Sequence, residues 1–152
     1  MLLDDYLQKA GEEKWAVPHF NIASLEQLKA IIATGLKLNS PLHVGLSESE
    51  RKYFGDKQAV ALINAFQSEY PQLPIFLNAD HCKSVESAKK AIDAGFDSIH
   101  IDLSALEFDE NVKGTKEIVE YAKSKSTSIS VEGELGYLRG ESKMQKEKIF
   151  VI

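Results

Sequence analysis

The stretch Pro74-Ile75-Phe76-Leu77-Asn78-Ala79-Asp80-His81-Cys82-Lys83-Ser84 decides how this chain is read. Ile75 to Ala79 is a short apolar run of the length of a buried strand. It leads directly into a carboxylate and an imidazole. Ser84 then opens a helical pattern, with Val85, Ala88 and Ile92 along one apolar face and Glu86 and Lys90 spaced i,i+4. A strand that ends in Asp-His just ahead of a helix puts two reactive groups where parallel α/β sheets keep their chemistry. A carboxylate moves protons, and a neutral imidazole holds a metal.

Outward from this stretch, strand and helix alternate in both directions. The pattern predicts a short helix over 2–10 that ends at Gly11. Strands are expected at 15–20, 42–46, 75–79, 97–101 and 128–133. Helices are expected from Ser24 to Leu38, from Asp56 to a stop at Pro71, from Ser84 to Ala94 and from Glu110 to Ser124. No linker, repeat or low-complexity segment interrupts residues 1–152, which reads as one domain. Strands separated by helices imply right-handed crossovers and a parallel sheet.

Side-chain alternation separates an open sheet from a barrel wall. Leu42, Val44 and Leu46 share one face of their strand, against His43, Gly45 and Ser47. Ile75, Leu77 and Ala79 oppose Phe76, Asn78 and Asp80. Ile99 and Ile101 oppose Ser98, His100 and Asp102, and Ile129 and Val131 oppose Ser130, Glu132 and Glu134. One face is aliphatic; the other is mixed and ends in a polar group each time. An open sheet covered by helices on both sides is aliphatic on both faces. The fold class expected is therefore α/β, a partial (β/α)8 barrel of about five parallel strands with intervening helices. Asn21, Ser47, Asp80, Asp102 and Glu134 then converge at one mouth.

Composition sets the outer bounds. Hydrophobic residues make up 43% of the chain, and the net charge is -5, from 18 basic and 23 acidic residues. With no basic cluster, nucleic acid is not an expected partner. Cys82 is the one cysteine, which excludes an intramolecular disulfide and a cysteine-based zinc cluster. No secretory segment or membrane-length apolar run stands in the sequence, so the expectation is a reduced, cytoplasmic protein with no membrane partner.

Carboxylates and an imidazole from successive strands suit a hard or borderline divalent ion. By residue type, His81 and Glu134 are the better zinc ligands. Asp102 either serves a second cation or holds a ligand in place. Alternation turns Asp80 away from His81 and leaves it for proton transfer. Each residue alone has a plainer reading, since strand-end aspartates commonly cap helices and lone histidines are commonly structural. His19, His43 and His100 lie inside strands and read as hydrogen-bonded interior residues below the mouth. Cys82 has no paired base, and Lys83 opens a charged helix start that does not favour Schiff-base chemistry. Glu132 is equally a site carboxylate or an interior one. Gly136 to Glu141 is a glycine-bounded loop, a lid or a surface turn.

The segments Pro18-His19-Phe20-Asn21-Ile22, Leu46-Ser47-Glu48-Ser49-Glu50-Arg51-Lys52-Tyr53, Asn78-Ala79-Asp80-His81, Ser98-Ile99-His100-Ile101-Asp102, Glu107-Phe108-Asp109-Glu110-Asn111-Val112 and Val131-Glu132-Gly133-Glu134-Leu135-Gly136 together resemble the class II, metal-dependent fructose-1,6-bisphosphate and tagatose-bisphosphate aldolases. The resemblance implies a TIM barrel, usually dimeric, and reversible aldol cleavage of a phosphorylated ketose, fructose 1,6-bisphosphate, to dihydroxyacetone phosphate and glyceraldehyde 3-phosphate. It implies Zn²⁺ as a Lewis acid at the ketose carbonyl, with a second cation as an option. Asp80 is then the proton donor and acceptor at the C4 hydroxyl, and His81 a zinc ligand. Asp102 and Glu134 belong to the metal site. Ser47 contacts the glyceraldehyde-phosphate portion of the substrate, and Asn21 lies near it. Glu141 falls where the family's mobile loop carries a catalytic acid, and Leu103 stands where the family commonly has glycine.

In that family two further zinc histidines and the glycine-rich phosphate loops come from later strands, and a barrel takes ~250 residues. The expectation is an N-terminal part of such an enzyme, a truncated or split form acting as a homo-oligomer or with a complementing C-terminal half. A tagatose-bisphosphate aldolase, another phosphosugar lyase or isomerase, and a non-catalytic remnant or binding module are the alternative readings on the same fold.

Overall fold

The computed structural model describes residues 1–136. Its strands are β1 (His19–Asn21), β2 (Leu42–Ser47), β3 (Ile75–Cys82), β4 (Ser98–Ile101) and β5 (Ser130–Gly133). Its helices are α1 (Leu3–Glu13), α2 (Leu25–Leu38), α3 (Glu48–Phe54), α4 (Asp56–Glu69), α5 (Val85–Ala94) and α6 (Phe108–Lys125). The sheet runs β1-β2-β3-β4-β5, and every neighbouring pair is parallel. A strand order that never reverses, joined by right-handed crossovers, keeps the connecting helices on one face. This is how a (β/α)8 barrel is wound, and the sheet is a five-stranded portion of such a wall.

Burial follows the alternation read from the sequence. Leu42, Val44, Leu46, Ile75, Leu77, Ala79, Ile99 and Ile101 are each no more than 2% exposed. They form one core with Leu28 and Ile32 of α2, Ile63 of α4, Ala88 and Ile92 of α5, and Ile118 of α6. Full burial of an aliphatic side chain of this size contributes about 1.5–3 kcal/mol, so the helix-facing side carries most of the stability. The opposite face holds His43, Asn78, Ser98, His100 and Asp102.

Local signals set the element ends. Ser24 caps α2 by accepting from the Gln27 N–H at 3.4 Å, and Ser84 caps α5 by accepting from Ser87 at 3.1 Å. Four elements differ from the sequence expectation. Helix α1 runs through Gly11 and ends where Lys14 turns left-handed at φ 62. Strand β1 is confined to His19–Asn21. Helix α3 was not expected; Ser47 and Glu50 form a reciprocal capping box that starts it directly at the end of β2. Strand β3 continues past Ala79 to Cys82, and its pairing with β4 slips between Ala79 and Cys82. His81 sits in that slip at φ 49.

Arg51 of α3 is a buried cation, 6% exposed. Its Nε and Nη2 donate to both oxygens of Asp56, at 2.8 and 3.2 Å. Nη1 reaches the Cys82 sulfur at 3.1 Å and the Ser87 hydroxyl at 3.4 Å, and Nη2 donates to the Ser87 carbonyl at 3.2 Å. The guanidinium also lies over the Phe96 ring, 5.4 Å from its centre. One side chain thus ties α3, α4 and α5 to the end of β3. Removing one partner of a buried pair leaves an uncompensated charge. Asp56→Ala is expected to destabilise the fold by about 3 kcal/mol in urea unfolding. The double variant with Arg51→Met is expected to lose less than the sum of the two single losses.

Candidate active site

The mouth is assembled from the carboxyl ends of β1 to β5. Asp80 is the last residue of β3 in regular register, opposite Ser47 of β2. Its Oδ2 accepts from Asn21 Nδ2 at 2.8 Å, and its Oδ1 lies 3.4 Å from His100 Nδ1. Asn21 can lean over β2 because residue 45 is glycine. A Cβ there would stand 2.7 Å from Asn21 Oδ1 and 2.6 Å from the His19 ring.

His81 is the next residue, and regular alternation would turn it to the helix side. The slip in β3 brings it back to the mouth. Its Nδ1 is 2.7 Å from Asp102 Oδ2 and 3.5 Å from Glu134 Oε2. Its ring lies tilted against His100 with centres 4.2 Å apart. His100 Nε2 is in turn 2.9 Å from Glu134 Oε2. Two sets of potential donor atoms result, each within 4.8 Å: His81, Asp102 and Glu134, and Asp80, His81 and His100. His81 belongs to both. An imidazole with carboxylates fits a borderline divalent ion such as Zn²⁺ by donor chemistry.

The electrostatics differ between the mouth and the layer beneath it. Burial pushes the Asp80 carboxyl up, but hydrogen bonds from His100 and Asn21 and the nearby imidazoles bring it down to about 2. Burial opposes a charge on His100, but its bond to Asp80 and the charges of Glu132, Asp80 and Glu134 prevail, and its pKa is raised. Burial likewise disfavours the Asp102 charge, and bonds from Lys83, Ser104 and His81 overcome it and hold the acid well below the usual range. One layer down, burial lowers His19, and burial together with His19 lowers His43 to about 4.

That lower layer is a directed hydrogen-bond chain. Ser98 Oγ donates to Asn78 Oδ1 at 3.0 Å, so His43 Nε2, 2.7 Å from Ser98, is the donor to it. Asn78 Nδ2 lies 3.1 Å from His19 Nε2, which must then accept. His43 is part-buried and hydrogen-bonded, as the sequence suggested; His19 is hydrogen-bonded as well, but on the edge strand β1 it is exposed rather than interior. His100 is buried, at 7% exposure, and hydrogen-bonded too, but it also stands in the mouth among the candidate ligands. Its parity with Ser98 and Asp102 was the available signal, and its depth within the strand obscured it.

Ser47 Oγ caps α3, accepting from the Glu50 N–H at 3.4 Å, and lies 3.0 Å from Ser49 Oγ at the rim. Glu132 is exposed. Cys82 is buried and burial pushes its thiol up to about 11, consistent with no nucleophilic role. Lys83 reaches back to Asp102 as an ion pair, a contact the sequence did not suggest. Leu103, the residue in the place of a family glycine, is 6% exposed and packs toward Gly114. Glu141 and the loop around it lie outside the described residues.

A singly wound parallel wall with polar groups gathered at its carboxyl end is one segment of a (β/α)8 barrel of the kind that carries its site there. The family model "Fructose-bisphosphate aldolase class-II" matches residues 2–151, and the chain belongs to that metal-dependent family. It is 39% identical over 137 residues to a fructose-bisphosphate aldolase of Helicobacter pylori, covering 90% of this chain and 44% of that protein. It is 38% identical over 141 residues to the one from Geobacillus stearothermophilus, covering 91% and 48%. Among solved structures, the YdjI aldolase from Escherichia coli K12 superposes with a TM-score of 0.78 over 90% of this chain and 52% of that one. At 24% identity this is a likeness of fold. The chain spans about half the length of the curated relatives it matches. No helix among the described residues is long and apolar enough to cross a membrane.

The depressed Asp80 acid ties stability to pH. Its folded pKa of about 2 lies below the ordinary value, so its contribution is full above pH ~4 and is lost as pH falls through about 2, a matter of about 2 kcal/mol. His100 has the opposite sign: its contribution is full below pH ~6.5 and fades as pH rises through its raised folded value. Urea unfolding with chelator present is expected to show Asp80→Asn less stable than the parent at pH 5. The gap should close toward pH 2.

Proposed function

We propose that this domain, residues 1–152, forms the half of a class II aldolase active site that carries the proton-transfer residue, Asp80, and part of the metal site. The reaction is reversible cleavage of fructose 1,6-bisphosphate, a phosphorylated ketose, in the cytoplasm. Homo-oligomerisation or a complementing half completes the barrel. Support comes chiefly from one observation: Asp80 and His81, adjacent in sequence, both face the mouth because β3 slips at His81. His81, Asp102 and Glu134 are the residues that would hold Zn²⁺, His81 and Glu134 as donors and Asp102 behind His81. When bound, the ion supplies Lewis acidity to the ketose carbonyl.

The chain's own residues do the rest. Asp80 is ionised at neutral pH and so is an acceptor for the C4 hydroxyl proton. As that proton leaves, the C4 oxygen forms a carbonyl and the C3–C4 bond breaks. Its electron pair passes to the dihydroxyacetone phosphate half, which is later reprotonated. Asn21 holds one Asp80 oxygen and His100 the other, so the carboxylate meets the substrate in one orientation. Ser47, at the rim opposite Asp80, is placed to meet the glyceraldehyde-phosphate portion.

The test is a coupled assay for glyceraldehyde 3-phosphate. It is run on the 152-residue chain, alone and mixed with a polypeptide supplying the remaining length of a relative. Zn²⁺-dependent, chelator-sensitive cleavage is expected from the mixture, and little or none from the chain alone. Asp80→Ala should lower kcat by about 10²–10⁴ and leave bound Zn²⁺ unchanged. Cleavage that survives chelator or Asp80→Ala, or no cleavage in either format, overturns the proposal.

A further inference from the structure

Asp102 stands at the end of β4 with its side chain 2% exposed. A carboxylate offers about four acceptor positions, and here each is assigned. Oδ1 accepts from the Ser104 N–H at 3.2 Å and the Ser104 hydroxyl at 2.6 Å. Oδ2 accepts from His81 Nδ1 at 2.7 Å and from the Lys83 ammonium. Nothing of Asp102 is left over for a divalent ion without displacing one of these donors.

We infer that the Lys83 ammonium takes the place of a second divalent cation at Asp102, so that the mouth holds a single metal ion at His81. The inference rests on the metal-site reading above and extends it. His81, Asp102 and Glu134 form a three-donor cluster of the kind that takes a cation, and Lys83 puts a cation on the Asp102 oxygen of that cluster. A lysine ammonium is a compact point charge with three donors, suited to this position. The backbone of Lys83 is anchored as well, since its N–H donates to Glu48 Oε1 of α3 at 3.0 Å. Its side chain, 46% exposed, reaches inward from the rim. With Lys83 on Asp102 Oδ2, Asp102 still receives the His81 Nδ1–H. That bond leaves His81 Nε2 as the nitrogen with a free lone pair, and fixes the ring that presents it. Lys83 is therefore a positioning residue that sets metal number.

The measurement is the number of ions bound, by equilibrium dialysis with Zn²⁺ and by Co²⁺ absorption spectra, for the parent, K83M and K83R. Lys83 is half-exposed, so methionine is expected to be tolerated there, and circular dichroism checks that the fold is kept. K83M is expected to bind one ion more than the parent, with a new Co²⁺ band. K83R, which keeps the charge, should match the parent, and adding Asp102→Asn to K83M should remove the extra ion. Equal stoichiometry in parent and K83M overturns the inference, as does an extra ion in K83R or one that survives Asp102→Asn. A parent that binds no ion, while K83M binds one, fails the metal reading and leaves the role of Lys83 supported. No ion in either protein fails both.

Discussion

His81 adopts φ 49 at the point where β3 loses register with β4, and the chemistry of the mouth follows from that one residue. Consecutive strand residues point to opposite faces. Without the slip, an Asp-His pair would divide, with Asp80 in the mouth and His81 among the helices. A left-handed non-glycine residue costs of order 1–3 kcal/mol and persists because its surroundings hold it. On one side Asp102 accepts from the His81 ring. On the other, the buried Arg51 grips Cys82, the next residue, and pairs with Asp56. The strain is local; the restraint is spread over α3, α4, α5 and β4.

The same arrangement separates two layers of polar groups. The lower layer, His43, Ser98, Asn78 and His19, is a chain of neutral donors and acceptors with one allowed direction. The burial that lowers both histidines keeps it neutral. The upper layer is ionic, because carboxylates from three strands face His81, His100 and Lys83 there. Gly45 links the layers: the absence of a Cβ lets His19 pack below and Asn21 reach Asp80 above. A neutral floor under a charged mouth confines the field to where a substrate and an ion are expected.

Much of this was legible in the sequence. Alternation along four strands identified the aliphatic face and the polar one, and the aliphatic positions of β2, β3 and β4 are the buried core, although β4 is buried on both faces. The positions brought to the mouth, Asn21, Asp80, Asp102 and Glu134, could be named because strand ends in a parallel sheet share one edge. What escaped the sequence are departures from periodicity and long-range pairings. Alternation cannot reveal a slip: it divides Asp80 from His81, and the backbone device that brings His81 to the mouth beside it was not legible. Helix α3 starts with no loop after β2, where capping by Ser47 looks like strand-end polarity. Arg51 reads as one more charge in Glu48-Ser49-Glu50-Arg51-Lys52, yet its partners lie up to 36 residues away. His100 was assigned by its depth within the strand, and its partners Asp80 and Glu134 come from neighbouring strands on either side.

Charge balance gives the arrangement at the mouth its last constraint. Asp80, Asp102 and Glu134 bring three formal negative charges into a partly buried space, and Lys83 returns one positive. With His100 neutral, the residual charge is -2, which a single divalent ion cancels. A second divalent ion would leave the site at +2, at a cost that low local dielectric enlarges. Without any ion, the imbalance falls on the histidines: His100, beside Asp80 and Glu134, is the group whose proton affinity rises. A dication arriving at His81 would relieve the same excess, so binding of the ion and release of a proton from His100 are coupled through the shared carboxylates.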